Sequence, residues 1–296
     1  MMPVSWGSSN VRHIIPISGK DSMATAIVML ANEPGLPYEF VHHVTGWDLP
    51  EVTEWFERVE ARIGTIVKCG DDLTEIVTEQ GMLPSRHRRF CTKYAKIFPM
   101  RDWLGKSEAT LYLGLRADES DRISGMTPSR RETYRFPLQE QSLSIRDVWA
   151  LVASEGLLPP QFIWPWMVDR VRQLGGTKPV DMPEWEWNTL FSGRSRPNCD
   201  ICFNQRQYEW IWLHETHPEA FQRGVDLELS TQHASSFKLI GKDKPLDSLL
   251  AKAEAIKERR ARWIAGFLER RRQGELFNII QPDDLVGTSC GLFCGK

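Results

Sequence analysis

The sequence has no excess of one charge: 37 Lys and Arg stand against 39 Asp and Glu in 296 residues, a formal net charge of -2. That excludes a global field drawing the protein to nucleic acid or an anionic membrane, so any such contact must be local. Also missing is any run approaching the ~20 consecutive apolar residues that cross a bilayer. The first ten residues, MMPVSWGSSN, hold no charged region followed by an apolar one, so neither a secretory leader nor a membrane anchor is expected. These absences predict a cytoplasmic protein without a membrane partner. No internal repeat or low-complexity segment occurs, and a chain of this length can bury a full core.

Cysteine is scarce but grouped. The six cysteines stand at 69, 91, 199, 202, 290 and 294. Two of the gaps are short enough for both sulfurs to reach one metal, and in a reducing compartment such grouping favours metal or redox chemistry over disulfides. Tryptophan is plentiful, with 12 residues. Trp149, Trp164, Trp166, Trp210, Trp212 and Trp263 fall in apolar segments, where packing is the expected role.

Residues 11–17 (VRHIIPI) read as a strand, followed by a glycine-containing turn and a helix from MATAIVMLANE that Pro34-Gly35 stops. YEFVHHV repeats the pattern as a second strand, with EVTEWFERVEARIG as an amphipathic helix after it; TIVKC and ATLYLGL give two further strands. Strands alternating with helices predict a parallel sheet covered on both faces, with ligands gathering at the carboxyl ends of the strands. SIRDVWALVASEG is helical in pattern, whereas the Pro- and Trp-rich stretch 158–187 has no regular reading and is expected to be an irregular insertion. From Leu246 to Leu268 apolar residues recur at helical spacing and predict a long amphipathic helix. Its basic run, Lys252, Lys257, Arg259, Arg260, Arg262, Arg270, Arg271 and Arg272, could track a nucleic-acid backbone. The interspersed Glu254, Glu258 and Glu269 fit a solvated face better.

The turn after the first strand is Ser18-Gly19-Lys20-Asp21-Ser22. A strand-to-helix turn exposes backbone N–H groups and the positive end of the helix dipole, so it suits phosphate. Lys20 adds a cation, and Asp21 a carboxylate for Mg²⁺ or for orienting the loop. The loop is not of the Walker A type, whose G-x-x-x-x-G-K-[ST] spacing is absent. SGKDS resembles the PP-loop of the N-type ATP pyrophosphatases, and more specifically the phosphoadenosine phosphosulfate (PAPS) reductase, or CysH-like, family. VTGWDLPEVTEWFERV, RRFCTKYAKIFPM, GLRADESDR, FPLQEQSLSIRDVW, NCDIC and SCGLFCG resemble that family's further motifs and occur in its order from about Ile14 to Cys294.

The resemblance implies a Rossmann-like adenine-nucleotide α-hydrolase fold, a parallel twisted sheet with helices on both faces. It implies a nucleotide-binding domain over 1–240 and a C-terminal helix with a cysteine-bearing tail over 241–296. Carried over by position, Ser18, Gly19, Lys20, Asp21 and Ser22 hold phosphate or sulfate, Thr45 and Gly46 sit by the nucleotide, and Arg116 binds an anionic group. A guanidinium fork suits that last role on chemical grounds as well. Cys91, Cys199 and Cys202 become three ligands of a [4Fe–4S] cluster, with the fourth iron left open or held by Cys290 or Cys294; Zn²⁺, with Cys199, Cys202, His214 and His217, and unmetallated thiols are the alternatives. Cys69 ends an apolar strand and is expected in the core.

Two departures from the reductases shape the functional expectation. The Lys-Asp-Ser of the ATP-cleaving branch is retained, and Cys91 is followed by Thr92 where the cluster-bearing reductases have a second cysteine. The leading expectation is an enzyme that takes ATP with Mg²⁺, cleaves it between the α and β phosphates and adenylates an acceptor, in sulfur transfer or nucleic-acid modification, a DndC-like branch included. One rival is an adenylyl-sulfate or PAPS reductase with Cys290 as nucleophile and a thioredoxin-like reductant, although Ser289 and Phe293 replace the family's Glu and His there. Another is a non-catalytic nucleotide- or nucleic-acid-binding subunit of a protein complex in a defence or mobile-element system.

Overall fold

The computed structural model describes residues 11–85, 88–197, 199–231, 237–242 and 244–273; Cys290 and Cys294 lie outside the described residues. Five strands, β1 (Arg12–Pro16), β2 (Tyr38–His43), β3 (Ile66–Cys69), β4 (Ala109–Tyr112) and β5 (Glu132–Arg135), form one sheet in the order 3-2-1-4-5. Every neighbouring pair is parallel. Alternation along the strands divides the apolar residues between two faces: Ile15, Ile17, Phe40 and Tyr112 join one buried cluster, while Ile14, Val41, Leu111 and Leu113 join another. The fold is therefore Rossmann-like α/β, as the strand–helix alternation predicts.

Helices fill the crossovers: α1 (Lys20–Asn32), α2 (Pro50–Ile63) and α3 (Leu73–Gln80), then α4 (Phe90–Thr92) running through a π turn into α5 (Phe98–Leu104). After β5 come α6 (Pro137–Glu140) and α7 (Ile145–Ser154), the latter capped by Ser144 and Asp147. The stretch 158–187 is more regular than its composition suggests, because it contains α8 (Pro165–Gln173) and the start of α9 (Glu184–Leu190). Two of its five prolines mark helix beginnings: Pro165 is the first residue of α8 and Pro183 the N-cap of α9.

Three further helices, α10 (Gln207–Thr216), α11 (Pro218–Ser230) and α12 (Ala253–Arg272), follow among the described residues, with a short hairpin of β6 (Phe237–Lys238) and β7 (Gly241–Lys242) between the last two. One apolar cluster runs without a break from Ile15 and Met23 beside the sheet to Leu246 and Ile264 of the C-terminal segment. The long helix expected from Leu246 begins as a 3₁₀ turn (Leu246–Lys252) before α12. Its basic run is a solvated face only in part: Lys252, Arg259, Arg262 and Arg272 are exposed, whereas Lys257, Arg260 and Arg271 are buried. Arg271 meets Glu186, itself fully buried, and Lys257 reaches Glu215 at 2.8 Å. No helix among the described residues is long and apolar enough to cross a membrane.

Candidate functional site

The strand order reverses between β1 and β4, since the chain crosses over on opposite faces from these two strands. Their carboxyl ends therefore flank a crevice, which Arg122 and Met126 of the β4–β5 connection help to line. The Ser18-to-Ser22 turn sits there. Ser18, Gly19, Lys20, Asp21 and Ser22 line a cleft with about 1020 Å³ of empty space, together with Pro16 from the end of β1 and Tyr112 to Leu115 from the end of β4. A cleft at this place in an open α/β sheet is where ligands gather.

The turn is held from within. Ser22 Oγ accepts from the amides of Ser18 and Gly19 at 2.8 and 3.1 Å and donates to the Gly19 carbonyl at 2.9 Å. The first amides of α1, at Lys20, Asp21 and Ser22, have no intrahelical acceptor, as in any helix, so they and the dipole give the cleft floor an anion-attracting end. Gly19 is extended, a conformation open to any residue, and a Cβ there would meet Pro197 at 3.6 Å, an ordinary contact. The glycine that the geometry requires is Gly114. A Cβ on it would lie 2.7 Å from the carbonyl carbon of Asp21 and 2.8 Å from the Ser22 nitrogen. Gly114→Ala is thus expected to push β4 and the loop apart at a cost of about 1–3 kcal/mol. Gly19→Ala is expected to change stability by less than about 1 kcal/mol; thermal unfolding of the two variants side by side checks the contrast.

Lys20 is buried against Asp21, with Nζ 3.0 Å from Oδ2 and 5.6 Å from the Trp149 ring centroid. Burial pushes the ammonium below its ordinary pKa, and Asp21 works in the opposite sense. Burial also opposes ionisation of Asp21, but Lys20 and Arg116 outweigh it and hold the carboxyl below the usual range. Arg116 stands behind this pair and is absent from the cleft lining: 1% exposed, it donates to Asp21 Oδ1 at 2.9 Å and Asp118 Oδ1 at 3.0 Å, and lies 3.2 Å from Glu119 Oε2. Glu119 also pairs with Arg122, as its position in the sequence suggests. The anion-binding role carried over to Arg116 therefore finds no open fork here; this arginine positions Asp21.

Residues that the sequence did not single out form the far wall. Arg122, Met126, Trp149, Gln161, Thr189, Ser192 and the segment from Arg194 to Pro197 all face the cleft. Trp149 thus does more than pack, and its ring stacks on Trp185 at 5.7 Å between centroids. An isolated antiparallel bridge ties Ile163 to Ser192, next to the cleft-lining residues Gln161 and Arg194. Arg194, 5% exposed, donates to the carbonyls of Arg196 and Cys199, both at 3.2 Å, so it fixes the turn that leads from the cleft to the cysteines. Burial lowers its pKa against the pull of Glu209 and Asp200.

Cys91, Cys199 and Cys202 line one neighbouring pocket of about 410 Å³ with Trp47, Arg89 and Lys96. Cys199 adopts a left-handed backbone, φ 57°, which is uncommon for a side-chain-bearing residue. Among the described residues, no three His, Cys, Asp or Glu side chains converge closely enough to hold a metal ion. The histidines of the zinc alternative lie elsewhere: His217 Nε2 is 3.0 Å from Glu51, and His214 packs edge-on against Phe221. Thr45 and Gly46 do not reach the cleft. Thr45 Oγ1 lies 3.7 Å from Cys199 Sγ, and Gly46 lines a separate hollow with His42, Asp48 and Phe56. Cys69 is half-buried at the end of β3, its thiol pushed up to about 11 by burial and by Asp71.

Residues 12–160 match the family model described as the phosphoadenosine phosphosulfate reductase domain. Among solved structures, the chain is similar to a PAPS reductase from Candida auris in a phosphate complex, at 13% identity and a TM-score of 0.38, covering 56% of this chain and 79% of that one. No curated protein matches the sequence. With the family model spanning half of the chain and the whole five-stranded sheet inside it, the protein belongs to the phosphoadenosine phosphosulfate reductase family.

Proposed function

We propose that the protein cleaves ATP between its α and β phosphates and transfers the adenylyl group to an acceptor. The observation that carries this reading is Lys20 in the first turn of α1, lining a cleft at the β1–β4 crevice that Arg122, Arg194 and Arg196 also line. These cationic side chains and a helix N-terminus suit a polyanionic nucleotide, and Lys20-Asp21-Ser22, which resembles the ATP-cleaving branch, favours the triphosphate among such nucleotides. An acceptor oxygen attacks the α-phosphorus, the bond to the α–β bridging oxygen breaks, and pyrophosphate leaves. The protein's part is alignment and charge neutralisation. Asp21 is the one carboxylate lining the cleft among the described residues, and Lys20 and Arg116 already hold both its oxygens. Mg²⁺ therefore enters as part of the Mg–ATP substrate, carried by its phosphates, and Asp21 aims the lysine.

Product analysis tests this reading. Incubation with Mg–ATP and with PAPS or adenylyl sulfate is expected to release pyrophosphate from ATP; ADP with orthophosphate, or sulfite from a sulfonucleotide, would overturn it.

Three thiols fronting one pocket form a donor set that is soft enough for iron–sulfur chemistry and that no neighbouring histidine completes for zinc. The set fits in kind, while its described members do not converge, so the cleavage above is assigned no step through a cluster. Cys91, Cys199 and Cys202 are the residues that would hold one, with a fourth ligand from Cys290 or Cys294, and a bound cluster would supply electrons or an iron site for sulfide. Iron and acid-labile sulfide are expected in anaerobically purified protein and should be lost in Cys199→Ser; zinc in their place would show the alternative to be right.

A further inference from the structure

A second hollow, with about 880 Å³ of empty space, lies at the carboxyl ends of β2 and β3 against α2. Part of its wall is apolar: Val52 and Phe56 of α2 and Ile66 of β3 line it, all three buried. His42 of β2 and Lys68 of β3 are register partners, so their side chains leave the same face of the sheet side by side. Asp48, in the turn that precedes α2, lines the hollow with them.

His42 is 5% exposed. Its Nδ1 stands 3.1 Å from the Ile17 carbonyl oxygen, which can only accept, so Nδ1 carries the proton and Nε2 presents a lone pair. Burial holds the imidazole below its ordinary pKa against the pull of Asp48, which keeps the ring neutral near pH 7. Nε2 finds no donor among the described residues. Asp48 Oδ2 stands 3.9 Å away, beyond hydrogen-bond reach, and is itself an acceptor. The Asp48 side chain is 15% exposed, and its Oδ1 is buried without a hydrogen-bond partner. Two largely buried acceptors thus face one hollow and share the lack of a donor, an arrangement that costs free energy until one arrives.

A nitrogen with two or more N–H groups, seated between them, reaches both acceptors at the ordinary distance of about 2.8–3.0 Å. The charge balance agrees. Asp48, Glu57 and Glu60 line the hollow against one cation, Lys68, whose side chain is exposed. Glu60 is tied through one oxygen to the Ile66 amide at 2.8 Å, which leaves Asp48 and Glu57 to meet a guest. A metal ion would need a third ligand that the described residues do not bring, and an anion would meet lone pairs. We infer that this hollow binds a small primary amine, its ammonium held between His42 Nε2 and Asp48 and its carbon chain laid along Val52, Phe56 and Ile66. The inference does not rest on the ATP-cleaving reading of the cleft.

Calorimetric titration of the full chain with butylamine at neutral pH tests it, and saturable binding at a single site is expected. Tetramethylammonium, which has the charge and no N–H group, should bind at least ~10-fold more weakly, the scale of losing hydrogen bonds to a charged group. Asp48→Asn keeps the shape of the side chain and is expected to cost at least ~10-fold for the same reason. Lys68→Gln, at an exposed position, should strengthen binding about 2- to 5-fold by removing a like charge. In wild-type protein with isotope-labelled histidine, butylamine should shift the Nε2 resonance of His42, a readout that depends on no variant. Saturating ATP should leave amine affinity unchanged. Absence of saturable binding, equal binding of tetramethylammonium, indifference to Asp48→Asn, or displacement by ATP would overturn the inference. Amine binding without pyrophosphate release would uphold it and overturn the reading of the cleft instead.

Discussion

Replacing Arg116 with alanine is expected to lower the unfolding free energy by about 3–5 kcal/mol, the cost of stranding buried charge whose partner has gone. Arg116 is 1% exposed and faces three carboxylates, those of Asp21, Asp118 and Glu119. Without it Asp21 keeps only Lys20, and Glu119 only Arg122. Arg116→Met should fare little better, because the carboxylates remain in place. The double variant Arg116→Met, Asp21→Asn should lose less than the sum of its parts, since the two side chains share one interaction. The sign with pH follows from Asp21, whose folded pKa lies below its unfolded value. Its pairing contributes stability above the unfolded value of about 3.9 and loses it as pH falls through the lower folded value. The gap between wild type and Arg116→Ala in urea denaturation should therefore be full at neutral pH and narrow below about pH 4. An arginine that gripped the nucleotide instead would show unchanged stability and a raised Kd for ATP.

That distinction between gripping and positioning is what the sequence could not supply. A guanidinium at a strand end is equally placed, in one dimension, to face a ligand or a neighbouring turn. Only the close approach of Gly114 to Asp21 shows that this strand end is occupied by the protein itself. The Ser18-to-Ser22 turn was legible because its signal is local, an apolar strand, a glycine and a hydroxyl-rich helix start. The same local signal gave β1 to β4 and α1, α2 and α7. β5 was not legible: Glu132–Arg135 is four residues with charge at both ends, and its place at the sheet edge comes from pairing with β4. The helices within 158–187 were hidden because Pro165 and Pro183 read as breaks when they are starts. Arg194 and Arg196 carried no signal beyond two arginines in a loop, and they become cleft residues through long-range packing that leaves no local trace in the sequence. The positions carried over by resemblance fared unevenly for the same reason. The Ser18-to-Ser22 loop sits on the strand beside the crevice, whereas Thr45 and Gly46 follow β2, one strand further from it.

Lys20→Ala is expected to slow pyrophosphate release by a factor of about 10²–10³ while leaving the fold intact, the scale of losing one aligned charge-stabilising group from an active site. The fold should hold because Asp21 retains Arg116 at 2.9 Å, and because removing a buried ammonium also removes its desolvation cost; a loss of about 1–2 kcal/mol covers the balance. Lys20→Arg is not expected to rescue the rate. The planar fork is longer than the ammonium stem, and Trp149 and Asp21 enclose the space that it would need. The kinetic form of the loss separates two roles for the lysine. If its charge acts mainly where negative charge gathers on the leaving pyrophosphate, kcat falls and KM for ATP stays near its original value. If it merely holds the triphosphate, KM rises and kcat survives. The buried ion pair favours the first form. Asp21 offsets the ammonium in the resting site, so the attraction available to the ground state is muted, and it strengthens as charge moves onto the bridging oxygen during cleavage. A loss confined to KM would reduce Lys20 to a binding group and move charge stabilisation across the cleft to Arg194 and Arg196.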